Sequence, residues 1–258
     1  MDNKIEKIME LYKQKTQKEC YKFEVEKDIK PGLLDNKIGG MPYLPIGEEI
    51  PLDSNNEPMS LLIQINLENV QLEDYPQEGI LQIFIDKECS WPCEYKIKYY
   101  PQITEYKTDL DDSDFESDII DRPLKIKLIK DIEHMPISDY RFNGTMKQVI
   151  KEVTGEDINE DEIDEFFEEN GHDLYDDFEK TFGINNFQGN LGGYADFTQT
   201  DPRPIENDED KIECLVKIDS YLDNRIMIGD CGIIFSFISK EDIKNRNFAN
   251  AVVDWDCC

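Results

Sequence analysis

GILQIFIDKE, residues Gly79–Glu88, and GIIFSFISKE, residues Gly232–Glu241, carry the same Gly, Ile, Phe, Ile, Lys and Glu at matching positions, 153 residues apart. Each is a short run of β-branched and aromatic residues opened by a glycine, which favours a strand over a helix. Extending the comparison at the same offset lays Lys37–Glu88 on Asn190–Glu241 without a gap. It brings Gly39-Gly40 onto Gly192-Gly193 and LLIQIN (Leu61–Asn66) onto CLVKID (Cys214–Asp219). Eleven of the 52 positions are identical, and they cluster in the apolar runs and at the paired glycines. Further along, KIKYYP (Lys96–Pro101) falls beside NAVVDW (Asn250–Trp255). The pattern predicts an internal duplication with units at about 37–102 and 190–255, three strands in each, within one domain spanning 1–258. Phe84 and Phe237 fall at the same phase of equivalent strands, so both are expected in equivalent parts of the core.

Around the units the sequence predicts an N-terminal amphipathic helix with Ile5, Ile8, Met9 and Tyr12 on one face, an outer strand at Tyr21–Val25, and an alternating strand LKIKLI (Leu124–Ile129). A helical acidic insertion is expected at about 140–185. One helix there is capped by Asn159 with Glu162 three positions on, carries Ile163, Phe166 and Phe167 inward, and stops at Gly171. The fold class is α+β: two related, mainly antiparallel β-sheets with peripheral helices.

The chain has 258 residues and a formal net charge of -30, which alone would point to disorder; 39% hydrophobic content and concentration of the charge in two runs point instead to a folded domain. Glu156–Glu179 holds 13 acids and no Lys or Arg, and Thr104–Asp121 holds 8 acids against Lys107. A surface this acidic repels the phosphate backbone and anionic membranes, so no nucleic acid and no membrane is expected as partner. A basic protein would be steered toward it. The N-terminus lacks the uninterrupted apolar stretch of a signal peptide, and no run approaches the ~20 apolar residues of a bilayer span. A cytoplasmic monomer is the expectation, with its seven cysteines as thiols.

The stretch NLGGYADFTQTDPRP (Asn190–Pro204) stands where GGMPYLP (Gly39–Pro45) stands in the first unit. Its glycines therefore read as a repeated need for tight turns and not as a phosphate cradle. What the copies do not share is TQTDPR, which makes Gln199, Asp201 and Arg203, with Asp230, the candidate binding residues. A structural corner, with Arg203 forked onto a nearby carboxylate, is the competing reading. His134 and His172 show no metal-ligand spacing, and Cys89 and Cys93 form a CxxxC without a second pair, so no metal and no cofactor is implied. DINEDEIDEFFE (Asp157–Glu168) superficially fits a calcium loop. It has Glu162 where the turn demands glycine and Asp164 where an apolar residue belongs.

GGMPYLP, SLLIQINL and GILQIFID, then LGGYADFTQTDPR and IGDCGIIFSFISKEDIKNRNFANAVVDWDCC, together resemble the YwqG-like family over nearly the whole chain. The resemblance implies a duplicated, β-rich α+β domain of unknown function in a cytosolic bacterial protein, with no chemistry to carry over. Ala195 departs from it, standing where such proteins usually have a proline. Three function classes follow from the residues. The first is a non-catalytic interaction protein whose acidic surface binds a basic partner, an immunity-type role included. The second is a small-ligand or peptide-binding module using the groove between the halves. The third is a carboxylate enzyme with Asp201 or Asp230 as acid or base and Arg203 as anion clamp.

Overall fold

The computed structural model describes residues 3–182, 188–203 and 212–257. Helix α1 (Asn3–Thr16) is followed by β1 (Lys18–Val25), β2 (Lys37–Ile38), β3 (Ser60–Asn66), β4 (Ile80–Ile85), β5 (Tyr95–Tyr100) and β6 (Leu124–Glu133). Then come the helices α2 (Phe142–Thr154), α3 (Ile163–Glu169) and α4 (Leu174–Phe182), and β7 (Gly189–Gly192), β8 (Glu213–Asp219), β9 (Ile233–Ile238), α5 (Lys240–Asn245) and β10 (Val252–Asp256).

The strands form one ten-stranded sheet in the order β10-β9-β8-β7-β1-β6-β2-β3-β4-β5, antiparallel throughout, where the sequence suggested two sheets. The reason lies in the strands expected outside. β1 pairs along its full length with β6, Lys18 opposite Glu133 through Val25 opposite Ile126, and the two occupy the centre, with β7 on the free side of β1 and β2 on the free side of β6. Both alternate apolar and polar residues over many positions, which suits a strand hydrogen-bonded on both edges as well as an edge strand. Alternation alone does not locate a strand within a sheet.

The two flanks share a register. Leu61 faces Phe84 and Ile63 faces Ile83 with a bulge between, and Cys214 faces Phe237 and Val216 faces Ser236 with a bulge at the same place. Lys37 faces Gln64 as Asn190 faces Lys217. The third strands depart from the constant offset: Phe84 faces Lys96, and Phe237 faces Val252, a shift of 156. The extra residues lie in the second connector, which folds α5 between β9 and β10 where the first flank makes only a turn. Gly79 and Gly232 open β4 and β9 because nothing larger fits. A Cβ on Gly79 would lie 2.3 Å from the Tyr100 carbonyl oxygen, and one on Gly232 would lie 2.1 Å from that of Asp256.

One face of both flanks feeds a single buried cluster, including Ile38, Ile63, Leu81 and Ile83 from the first and Leu191, Val216, Ile218 and Ile234 from the second. To share that core the sheet curls until it nearly closes. Tyr99 of β5 packs on Phe248, just before β10, with ring centroids 5.1 Å apart. A second cluster lies under the helices, where α1 contributes Ile5, Ile8, Met9 and Tyr12, α2 contributes Phe142, Met146, Val149 and Ile150, and α3 contributes Ile163, Phe166 and Phe167. The capping box forms as the sequence predicts, with Asn159 N–H donating to Glu162 Oε2 at 2.8 Å, and Gly171 takes φ 78° just past α3. The segment that imitates a calcium loop is thus the capped start of a helix.

Candidate functional site

The corner after β7 is built from short-range pairing. Asp201 Oδ1 accepts the Arg203 N–H at 3.1 Å, and the Arg203 guanidinium folds back on the same carboxylate through Nε (2.9 Å) and Nη2 (2.5 Å). Nη2 also reaches Asp139 Oδ2 at 2.8 Å, and Nη1 donates to the Ile212 carbonyl at 3.0 Å. Asp201 Oδ2 accepts from Tyr140 N–H at 3.1 Å, so both of its oxygens are engaged within the fold. The guanidinium lies 4.6 Å from the Phe237 ring centroid and 5.0 Å from that of Tyr140. Arg203 and Asp201 are buried. Burial opposes the Arg203 charge, but the Asp201 hydrogen bond and the Asp139 and Asp201 charges outweigh it and raise its affinity for the proton. Asp139 shows the converse. Burial would raise its carboxyl, and the Arg141 hydrogen bonds with the Arg203 and Arg141 charges hold it below the ordinary range.

The other two candidates lie elsewhere. Gln199 is exposed, its N–H on Asp256 Oδ2 (2.9 Å) and its Nε2 on the Cys257 carbonyl (2.7 Å), which tie the corner to the end of β10. Asp230 is exposed on the turn before β9 and is not part of the Asp201–Arg203 pairing. The structure therefore unites Asp201 and Arg203 and leaves Gln199 and Asp230 outside their cluster.

Asp139 and Arg141 escaped the sequence reading, yet a signal for them existed. Asp139-Tyr140-Arg141, Asp201-Pro202-Arg203 and Asp223-Asn224-Arg225 share one spacing and one geometry, in which the Asp carboxylate accepts the N–H two residues on and the Arg fork closes over it. Among the described residues this Asp-x-Arg turn occurs three times. Also missed was the buried pair of Glu133 and Lys217. Glu133 Oε2 accepts Tyr194 N–H at 2.6 Å, and Oε1 lies 3.5 Å from Lys217 Nζ. Burial pushes the Glu133 carboxyl up, partly offset by Lys217 and the Tyr194 N–H, while Glu133 holds Lys217 protonated against its own burial.

Between the flanks lies a cleft of about 960 Å³. Its walls are the end of β2 at Gly39-Gly40, the segment Phe115–Pro123 leading into β6, and Asn224, Arg225 and Met227 from the second flank. Asp121 N–H to the Arg225 carbonyl (2.8 Å) and Met227 N–H to the Ile119 carbonyl (2.9 Å) stitch the walls together. At the corresponding turn beside β7, Glu133 stands over Gly193, its carboxylate 2.3 Å from where a Cβ would be. Above Gly40 the nearest side chain is Pro123.

Among the described residues no group of three or more His, Cys, Asp or Glu side chains is arranged to hold a metal ion, and no helix is long and apolar enough to cross a membrane. No curated protein matches the chain. The pattern of the family DUF1963, described as a domain of unknown function, matches residues 36–257, from β2 to the end of β10. The match covers both flanks of the sheet, the helical segment between them and the Asp201–Arg203 corner, and on it this chain belongs to the DUF1963 family.

Proposed function

We propose that this chain is a non-catalytic, cytosolic binding protein, monomeric and built by internal duplication of units near 37–102 and 190–255, with the acidic helical insertion at about 140–185 as its contact surface for a basic protein. The duplication is supported by the matching register, the matching bulge and the matching glycines of the two flanks. The observation that carries the partner reading is the two-sidedness of α3 and α4. Phe166, Phe167 and Leu174 are buried, Phe178 is partly so, and Asp161, Asp164, Glu165, Glu168, Glu169 and Glu179 are exposed. Among the described residues those six acids make no ion pair, unlike Glu156, which meets Lys4, and Asp157, which meets Lys151. Unpaired, outward and of one sign, they set up a field that steers cations.

The test is to replace these six acids by Asn or Gln and compare capture of basic proteins at low and high salt. The reading expects the parent to bind in a salt-sensitive way, the variant to lose that binding, and thermal stability to hold or rise at low salt. Equal capture by both, or a collapse in stability, overturns it. A carboxylate enzyme is the weakest reading, because both Asp201 oxygens and the Arg203 fork are spent on the fold.

The cleft favours a second reading, a ligand-binding groove between the flanks. Its size is at the upper end of the ~300–1,000 Å³ usual for small-molecule sites, and both flanks line it. A ligand seated there should raise the melting temperature. Arg225→Ala, on the cleft wall, should abolish that rise without touching partner capture by α3 and α4.

A further inference from the structure

The turn joining β4 to β5 holds two thiols against each other. Cys89 Sγ and Cys93 Sγ are 3.5 Å apart, Cys89 buried and Cys93 half-buried. Asp86 at the end of β4 fixes the turn. Its Oδ1 accepts Glu94 N–H and its Oδ2 accepts Ser90 N–H, each at 3.0 Å, and its carbonyl accepts Cys89 N–H at 3.1 Å. Cys93 Sγ also lies 3.6 Å from Asp86 Oδ1. Among the described residues no other two thiols touch; Cys20 and Cys214 are buried, and Cys231 and Cys257 are half-buried apart from this turn. Trp91, between the two cysteines, is 75% exposed.

We propose that Cys89 and Cys93 form a thiol–disulfide exchange site whose substrates are low-molecular-weight disulfides. The half-buried Cys93 sulfur, as thiolate, attacks one sulfur of the substrate. A mixed disulfide forms, and the first small thiolate departs and takes up the proton Cys93 gave. The Cys89 sulfur, deprotonated in turn, attacks the Cys93 sulfur, closing the intramolecular disulfide and expelling the second small thiolate, which is protonated. Two protein thiols are oxidised and one substrate disulfide is reduced to two thiols, so electrons and protons balance. The sulfurs need close by only about 1.5 Å to reach disulfide bonding distance, and the turn holds them at hand. The Cys89 hydrogen bond, burial and the Asp86 carboxylate all push the Cys93 thiol up, so the first attack runs through a scarce thiolate and quickens as pH rises. That keeps the reduced pair persistent at neutral pH while the short sulfur–sulfur distance makes the second step fast.

The test equilibrates the full chain with defined ratios of oxidised and reduced glutathione, alkylates the remaining thiols and maps them by mass spectrometry. Wild type should lose two hydrogens in the peptide carrying Cys89 and Cys93, with the other cysteines alkylated. Cys89→Ser should accumulate one glutathione on Cys93, the intermediate that can no longer resolve, and its rate of formation should rise about tenfold per pH unit across the neutral range. If both thiols stay alkylatable at every ratio, or if wild type collects glutathione on Cys93 as the serine variant does, the assignment fails. The wild-type measurement stands even should the variant fold poorly.

Discussion

Arg203 is the side chain on which the corner reading can be broken most directly. Replacing it with Lys keeps the charge and removes the fork. One ammonium can sit between Asp139 and Asp201, but the Nη1 bond to the Ile212 carbonyl and the Nε bond to Asp201 have no substitute. Two bonds that involve a charged group, at ~1–1.5 kcal/mol each after partial relaxation, and the weakened contact with the Phe237 ring bring the expected loss to about 3 kcal/mol. For a chain of this length that is roughly 6–12 °C in melting temperature. Arg203→Met should cost more, about 3–5 kcal/mol, because it leaves Asp201 buried and uncompensated while Asp139 keeps Arg141. Asp201→Asn combined with Arg203→Met should then lose clearly less than the sum of the single changes, since the second removes a charge that the first has already stranded. Chemical denaturation and thermal melts followed by circular dichroism measure all three. A Lys variant within about 0.5 kcal/mol of wild type, or strictly additive losses, refutes the reasoning and returns Arg203 to the pool of binding residues.

Two further outcomes are expected. Lys37 is buried and donates to the carbonyls of Gly32, Leu33 and Met41, and burial pushes its ammonium down to about 8 from the ordinary 10.5, so between those values the unfolded chain holds the extra proton. Stability relative to Lys37→Met should therefore be flat below pH 8 and rise by up to about 3 kcal/mol as pH climbs to 10.5, and a pH-independent difference would count against it. Gly232→Ala drives a Cβ into the Asp256 carbonyl and should cost about 3 kcal/mol by urea denaturation, whereas Gly155→Ala, with open space at φ 80°, should cost about 1. Equal losses at the two glycines would mean that the close approach to β10 is not what fixes Gly232.

Much of the fold was legible in the matching apolar runs of the sequence. β3, β4, β8 and β9 fall on the runs read as strands, and the capping box at Asn159 and the buried face of α1 were readable from spacing alone. The centre of the sheet was not. β1 and β6 lie outside the two segments that the sequence comparison aligns, and their alternation is satisfied equally at an edge or between two neighbours. The third-strand offset failed for a local reason, since α5 adds residues that a gapless comparison cannot see. The site was half legible. Asp201 and Arg203 announced themselves by density of polar residues, but Asp139 is 62 residues away from Asp201 in sequence and meets Arg203 only because α2 starts beside the corner. The cleft was expected only as a groove between the halves; its walls could not be named, being segments from both flanks that no local pattern connects.

The two flanks differ where each buries a lysine, and that difference accounts for a carboxylate standing over one turn while a proline stands over the other. In the second flank the lysine is Lys217 on β8, opposite Asn190, too deep to reach water. Its charge is met by Glu133 from the central strand β6, and the same carboxylate accepts Tyr194 N–H and so stands over Gly193. In the first flank the position of Lys217 is taken by Gln64, a neutral side chain that accepts Tyr43 N–H and donates to the Leu33 and Asp35 carbonyls. The lysine sits one strand over, at Lys37, where three carbonyls satisfy its three donors. No buried carboxylate is then needed to complete that hydrogen bonding, and none stands over Gly40. Where the cleft meets the first flank at Gly39-Gly40, the buried lysine is thus satisfied by backbone carbonyls, so that side can stay open without stranding its charge.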